Sequence, residues 1–303
     1  MITVIVPVMT ERCPKTGNPN RSLDRLDYNL RSIVNQQKHL KSLGVLLEVI
    51  VVNHHKDERI TTLFRATSEA NKCRFLNINT TLVFNKSYLI NVGAKEALGE
   101  YIAISELDMI FRKDLLFRMY TKLTGKKSII ITHNFYLNDK KSLKRINLNC
   151  NKSFSGLYNF GFVKPNIEAK AEGGLQLFRK KNFCSLGGYN TGINLIGGYD
   201  NEAMNRFRLS GYKTELHYPD VKKIFSVHIP HEKFKFNNIS KGFVNKVRYS
   251  NKNIINLNKK KIPFVCNDDD VQGVRLIDNK YVFGTDNKNV SMNSFFKKIK
   301  MEK

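Results

Sequence analysis

The reactive side chains that stand closest together are the carboxylates of Glu106 and Asp108, which flank a single leucine directly after the apolar run 101–105. If that run is a buried strand, both groups reach one crevice beyond its carboxyl end, where ligands of open parallel sheets bind. Two carboxylates so placed repel each other unless a positive charge joins them. A hard divalent cation bridging a diphosphate fits that need. The bland alternative for such a pair is a solvated loop. Other polar residues follow other apolar runs in the same way: Pro7, Thr10, Glu11 and Arg12 after the first, and Asn53, His54 and His55 after the second.

These positions make sense only if a particular set of elements presents them. Residues 2–8 (ITVIVPV) read as a buried parallel strand, continuous and β-branched, ended by a proline. A polar loop follows, and Leu26, Leu30, Ile33 and Val34 then recur at helical spacing, predicting one amphipathic helix over 23–41. Residues 46–52 form the next buried strand, which completes a right-handed βαβ unit. Helices are expected over 61–70, 87–98 and 201–209, with Gly211 closing the last. Strands are expected over 73–78, 101–105, 128–132, 214–217 and 223–228. The segment 173–183 reads as a strand turning into a helix. This alternation predicts an α/β fold with a mixed, mostly parallel sheet flanked by helices. Beyond about residue 236 the text turns rich in Asn and Lys and reads as an accessory extension with a few strands.

Composition bounds the class. In 303 residues, 51 Lys and Arg face 26 Asp and Glu, a net charge of +25. Such a surplus recruits polyanions or anionic membrane surfaces; codon bias toward Asn, Lys and Ile produces the same number with no partner. The hydrophobic fraction of 41% supports a sizeable core. No run of about 18 apolar residues is present, so no transmembrane helix is expected, and residues 2–8 lack the basic flank of a signal peptide. Five scattered cysteines without a CxxC pair argue for a reducing compartment. A cytoplasmic protein is expected, free or at the inner face of a membrane. The terminal stretch 294–303 suits either a basic amphipathic surface helix or a solvated tail.

Two longer blocks and one histidine carry a resemblance. The segment FNKSYLINVGAKEALGEYIAISELDMIF, residues 84–111, is similar to the central segment of GT-A fold glycosyltransferases, nearest to β-galactosyltransferases and chondroitin-polymerase-like enzymes. Their pattern of Phe-Asn-basic-x-x-Leu-x-Asn-Val-Gly, helix, and strand ending in Asp-x-Asp stands here as Phe84, Asn85, Lys86, Leu89, Asn91, Val92, Gly93, Glu106 and Asp108. The runs 2–8, 32–37 and 48–53 resemble the nucleotide-binding half of that family. Residues 172–211 resemble its acceptor-side signature through Gly173, Gly174, Phe183, Gly188, Gly197, Gly198, Asp200 and Arg206. In this block Ile196 replaces a tryptophan and Tyr199 a glutamate. His228, in FSVHIPH, stands where the family has a metal-ligating histidine. The likeness spans roughly residues 2–235.

The resemblance implies a domain over 1–235, with 1–111 as the nucleotide-sugar-binding half and 112–235 as the acceptor half, and an extension over 236–303. It implies that Asp108 and His228 hold Mn2+ (or Mg2+) against the diphosphate of a UDP-sugar, and that Glu106 contacts ribose or a metal-bound water. Phe84, Lys86, Arg12, Pro7 and Asn53 would bind the nucleotide, with Lys86 against phosphate. Gly173, Gly174, Gly197 and Gly198 would line the sugar and acceptor side. Asp200 would be the general base of a single inverting displacement; it also suits a helix cap. Glu202 and Arg206, four apart on a helix, are expected to pair with each other. The implied activity is transfer of a hexose or N-acetylhexosamine, galactose favoured, to a hydroxyl of a glycan or other anionic acceptor. The same chemistry on a modified base of nucleic acid, and a decayed binding module, are the alternatives.

Overall fold

Strand β1 (Ile2–Val8) is buried along its whole length, and its continuous apolar text follows from packing on both faces. It lies between β2 (Leu47–Asn53) and β4 (Tyr101–Ser105), parallel to both. The β4 pairing stops at Ile5, so Pro7, which has no N–H to donate, sits where one flank of the strand is no longer paired. The computed structural model describes residues 1–8, 20–54, 57–80, 82, 85–123, 128–132, 135–137, 163–165, 174–193, 198–217, 226–229, 260–267, 270–271, 273–277, 280–285 and 288–289.

Along the chain, β1 is followed by α1 (Asn20–Val34), α2 (Gln37–Lys41), β2, α3 (Glu58–Ala70), β3 (Arg74–Asn77), α4 (Lys86–Glu96), β4, β5 (Met109–Phe111), α5 (Leu115–Lys122), β6 (Ser128–Thr132), β7 (Phe135–Leu137) and β8 (Val163–Pro165). Then come β9 (Leu175–Arg179), α6 (Lys180–Ser185), α7 (Tyr199–Leu209), β10 (Lys213–His217), β11 (Ser226–His228) and the meander β12 (Gly273–Ile277), β13 (Lys280–Thr285) and β14 (Lys288–Asn289). The main sheet has seven strands in the order β10-β6-β9-β4-β1-β2-β3. Only β9 runs antiparallel to its neighbours, β4 and β6. A second sheet, β5-β11-β7-β8, stands beside it, and β12-β13-β14 form a third. The expected mixed, mostly parallel sheet is present.

Two cores sandwich the main sheet. Ile2, Val4, Val6 and Val8 pack with Leu26, Leu30 and Ile33 of α1 and with Leu115 and Met119 of α5. Ile5, Ile50 and Val52 face the other way, toward Tyr88, Leu89 and Val92 of α4 and Phe207 of α7. Alternate residues of one strand thus serve opposite layers. Helix α4 is buried from Lys86 through Ala94, because Phe264, Val265 and Val271 close over the core it belongs to.

The helix expected over 23–41 is two helices. The chain turns at Asn35 and Gln36, where neighbouring elements claim the glutamine side chains: Gln36 Oε1 accepts from Leu116 N at 2.6 Å and Gln37 Oε1 from Leu47 N at 2.9 Å. At Gly93 the helix α4 lies close against the sheet. A Cβ there would lie 2.5 Å from Ile5 Cγ2 and 3.1 Å from Val52 Cγ2. Overpacking a filled core costs about 1–3 kcal/mol, so Gly93→Val should lower the unfolding free energy by that amount, read from a denaturant melt.

Candidate active site

The acidic pair occupies the turn between β4 and β5. Its backbone is gripped by buried polar residues of the amphipathic helix α1. Asn29 Nδ2 is 3.0 Å from Glu106 O, 2.8 Å from Met109 O and 3.1 Å from Ser105 Oγ. Ser32 Oγ accepts from Phe111 N at 3.1 Å. From the far side Glu106 N donates to Gly174 O (3.1 Å) and Ile229 N donates to Asp108 O (2.7 Å). Asn29 and Ser32 are fully or almost fully buried, so the Asn29 NH2 and the Ser32 hydroxyl would be costly if the turn did not use them; the Asn29 Oδ1 has no hydrogen bond among the described residues.

Strand β11 pairs antiparallel with β5, setting His228 opposite Met109. That register delivers the imidazole to the acidic turn: His228 Nε2 lies 3.3 Å from Asp108 Oδ2. Both side chains remain partly open, 20% and 17% exposed. An oxygen and an imidazole nitrogen that converge in this way fit a divalent cation of mixed O/N preference. Among the described residues no group of three or more His, Cys, Asp or Glu side chains is arranged to hold a metal.

Glu106 faces a different partner. Asn85 caps α4, its side chain accepting from Tyr88 N at 3.0 Å and donating to Thr191 O at 2.7 Å. The next residue, Lys86, is 6% exposed. Its ammonium bonds the Glu106 carboxylate, donates to Tyr199 Oη at 3.1 Å and stands 4.6 Å from the centre of the Tyr199 ring. Burial by itself would lower the Lys86 pKa, but Glu106, Tyr199 and Asp200 outweigh it and hold the amine protonated well above the usual lysine range. Burial, followed by the charge of Glu106, pushes the Tyr199 phenol up in turn. Lys86, expected against phosphate, is thus engaged by protein groups, and so is Glu106.

Tyr199 belongs to the first turn of α7, as does Asp200. Gly198, the residue before that helix, has φ +89°, a conformation that favours glycine. Asp200 Oδ1 accepts from the phenol of Tyr189 at 2.8 Å. The amino-terminal end of α7 holds the carboxylate where the helix dipole favours its charge. Arg206 anchors the helix: its guanidinium takes Glu202 in a fork at 2.8 and 3.0 Å and donates to Leu186 O and Gly188 O, each at 2.6 Å. The expected Glu202–Arg206 pair is present, and Arg206 is 1% exposed.

Pro7, Asn53 and Gly174 lie with the acidic turn on one edge of the main sheet. Pro7 and Val8 stand opposite Val52 and Asn53, and β9 begins beside the end of β4. Asn53 is fully buried; its Nδ2 donates to Asn77 Oδ1 at 2.8 Å, while its Oδ1 has no hydrogen bond among the described residues. Gly174 has φ +109°. Arg12, Phe84, Gly173 and Gly197 lie outside the described residues, as do Thr10, Glu11, His55, Ile196 and His231. Sequence reasoning missed Asn29, Gln176 and Tyr189. Asn29, Ser32 and Gln36 recur at i, i+3 and i+7, a signal that was open to reading.

A family model described as the N-terminal domain of galactosyltransferase matches residues 158–232, the stretch that carries Asp200 and His228. Among curated proteins none matches the chain. Its fold is similar to TarS 1-349 of S. aureus, at 12% identity and a TM-score of 0.52 over 85% of this chain and 64% of that one. The TarS fragment in complex with UDP gives 12%, 0.51, 85% and 64%. A mannosyltransferase, PcManGT from Pyrobaculum calidifontis in complex with GDP-Man and Mn2+, aligns at 17% identity and a TM-score of 0.48, over 84% of this chain and 62% of that one. The chain thus spans less than two thirds of these solved chains. The architecture is the GT-A fold, and the family match agrees with a glycosyltransferase of GT-A type.

Arg206 offers a test of how α7 is held. Arg206→Met leaves the Glu202 charge buried and Gly188 O without its donor, and should cost about 3–5 kcal/mol. Calorimetric unfolding should show the double variant R206M/E202M recovering only part of that loss, since Gly188 O stays unmet and Leu186 O keeps only its 3.4 Å bond from Ile262 N.

Proposed function

We propose that the chain transfers a hexose or N-acetylhexosamine, galactose favoured, from a UDP-sugar to a hydroxyl of a glycan acceptor, with inversion. One observation carries this reading. Lys86 bonds both Glu106, two residues from Asp108, and Tyr199, next to Asp200, so the nucleotide-side turn and the acceptor-side helix meet in one cluster. Asp108 and His228, 3.3 Å apart, would hold a divalent cation, Mn2+ or Mg2+, which when bound would neutralise the diphosphate of the donor.

The chain's own residues divide the remaining work. The Asp200 carboxylate takes the proton of the acceptor hydroxyl as that oxygen attacks the anomeric carbon. The bond from that carbon to the diphosphate oxygen breaks on the opposite face, and UDP leaves with the bonding pair. One carboxylate suffices, and no covalent sugar-enzyme intermediate forms. Pro7 and Asn53 would bind the nucleoside part of the donor, as the resemblance implies. Phe84, Arg12, Gly173 and Gly197 complete the proposed contacts, with Gly174 and Gly198 giving the backbone its close approach to sugar and acceptor.

The same reading places the transferase unit in residues 1–235 and the extension in 236–303, where Phe264 and Val265 lean on the core. Among the described residues no helix is long and apolar enough to cross a membrane; the proposed setting is the cytoplasm or the inner face of a membrane. The charge of +25 favours nucleic acid as the second acceptor class. Binding that falls steeply with salt would select it, and a flat response would select a neutral glycan.

The test is a panel of UDP-hexoses and UDP-N-acetylhexosamines with Mn2+, scored by UDP release with water and with short glycans. Asp108→Ala should abolish Mn2+-dependent UDP binding in calorimetry. Asp200→Asn should bind UDP normally and lose transfer by roughly 100-fold or more, the scale of general base catalysis. Transfer by Asp200→Asn at the wild-type rate would refute the base assignment.

A further inference from the structure

We propose that Tyr189 is a positioning residue, whose phenol holds the Asp200 carboxylate in its working orientation. The inference rests on reading Asp200 as the general base. The phenol is 2.8 Å from Asp200 Oδ1 and also contacts the Gln176 side-chain amide. A phenol has one proton and two acceptor sites. The ionised carboxylate is the stronger acceptor, so the proton goes to Asp200. In the structure the amide oxygen Oε1 of Gln176 faces the phenol; with the phenol's one proton given to Asp200, the proposal turns the terminal amide over so that its NH2 serves the phenol oxygen. The result is a directed chain, Gln176 N–H to Tyr189 O–H to Asp200, whose links polarise one another.

Tyr189 is fixed tightly enough to act this way. It is 1% exposed. Its N–H donates to Asn91 Oδ1 at 2.8 Å and its carbonyl accepts from Asn91 Nδ2 at 2.9 Å. Gly188, just before it, has φ +62°, and a Cβ there would fall 2.3 Å from Asn91 Oδ1. The ring lies between Phe183 and Tyr199, 5.9 and 6.0 Å from their centres. Burial, with Asp200 second, holds the phenol well above its ordinary pKa, so it remains a donor throughout the working range.

Among the described residues, Tyr189 from the loop after α6, Lys86 from α4 and Tyr199 from its own helix interact with Asp200. Lys86 favours the charged carboxylate. A hydrogen bond to the charged form adds to the favourable side and, unlike Lys86, also fixes direction.

The experiment compares wild type, Tyr189→Phe, Gln176→Leu and Asp200→Asn, each checked for a cooperative thermal transition. Phenylalanine keeps the ring contacts and deletes only the hydroxyl. With the UDP-sugar that gives the highest UDP release in the donor panel, Y189F should lose roughly 10- to 100-fold in kcat, the scale of a hydrogen bond to a charged group. Its donor KM should stay within about twofold, and the acid limb of its kcat profile should move to higher pH. Gln176→Leu should shift both in the same direction by less. An activity-free readout runs beside these: the 13C carboxyl resonance lost in Asp200→Asn should titrate at higher pH in Y189F than in wild type.

A folded Y189F chain with wild-type kcat and an unmoved resonance overturns the proposal while the base assignment stands. If Y189F does not fold, Q176L with wild-type kcat and resonance does the same. If Asp200→Asn transfers at the wild-type rate, the base assignment itself fails and takes this inference with it.

Discussion

Burying the ammonium of Lys86 costs several kcal/mol unless opposite charge and hydrogen-bond acceptors surround it. Glu106 and Tyr199 meet that demand from two segments that are remote in sequence. The lysine sits in the first turn of a helix buried on all sides, so it cannot swing out to solvent without dragging α4 from the core. The acidic turn and the start of α7 must therefore come to it. Much of the remaining geometry follows from this requirement.

The rest of the site is held in place by buried polar residues. Asn29 and Ser32 hold the acidic turn from α1, Asn85 and Asn91 tie α4 to the Tyr189 loop, and Arg206 locks α7 to Leu186 and Gly188. Each is almost fully buried. Buried polar groups specify structure because the alternative arrangements leave them unpaired. Here they convert a tolerant apolar sandwich into one with a defined edge, where carboxylates stand at fixed places.

Tyr199 shows how a departure from a motif is absorbed. The resemblance led to a glutamate at this position. With tyrosine there, Lys86 is paired by the Glu106 carboxylate and receives from position 199 a phenol oxygen and a ring face instead. The acidic pair is thereby split in role. Glu106 compensates a buried cation, and Asp108 remains to face the imidazole of His228.

What the sequence by itself determined was local. The apolar runs of β1, β2 and β4, the helical spacing of α4, the Glu202–Arg206 pair and the position of Asp200 at a helix start were all legible, because side-chain period and near-neighbour spacing write them directly into the text. The break between α1 and α2 was not, since it depends on Leu116 and Leu47 claiming two glutamines. Nor was the fate of Lys86 and Glu106, which local text allowed to face a ligand. Only the tertiary structure decided that they face each other, that β11 sets His228 beside Asp108, and that a buried tyrosine reaches Asp200. Those outcomes depend on strand register and on desolvation, and both exist only once distant segments have packed.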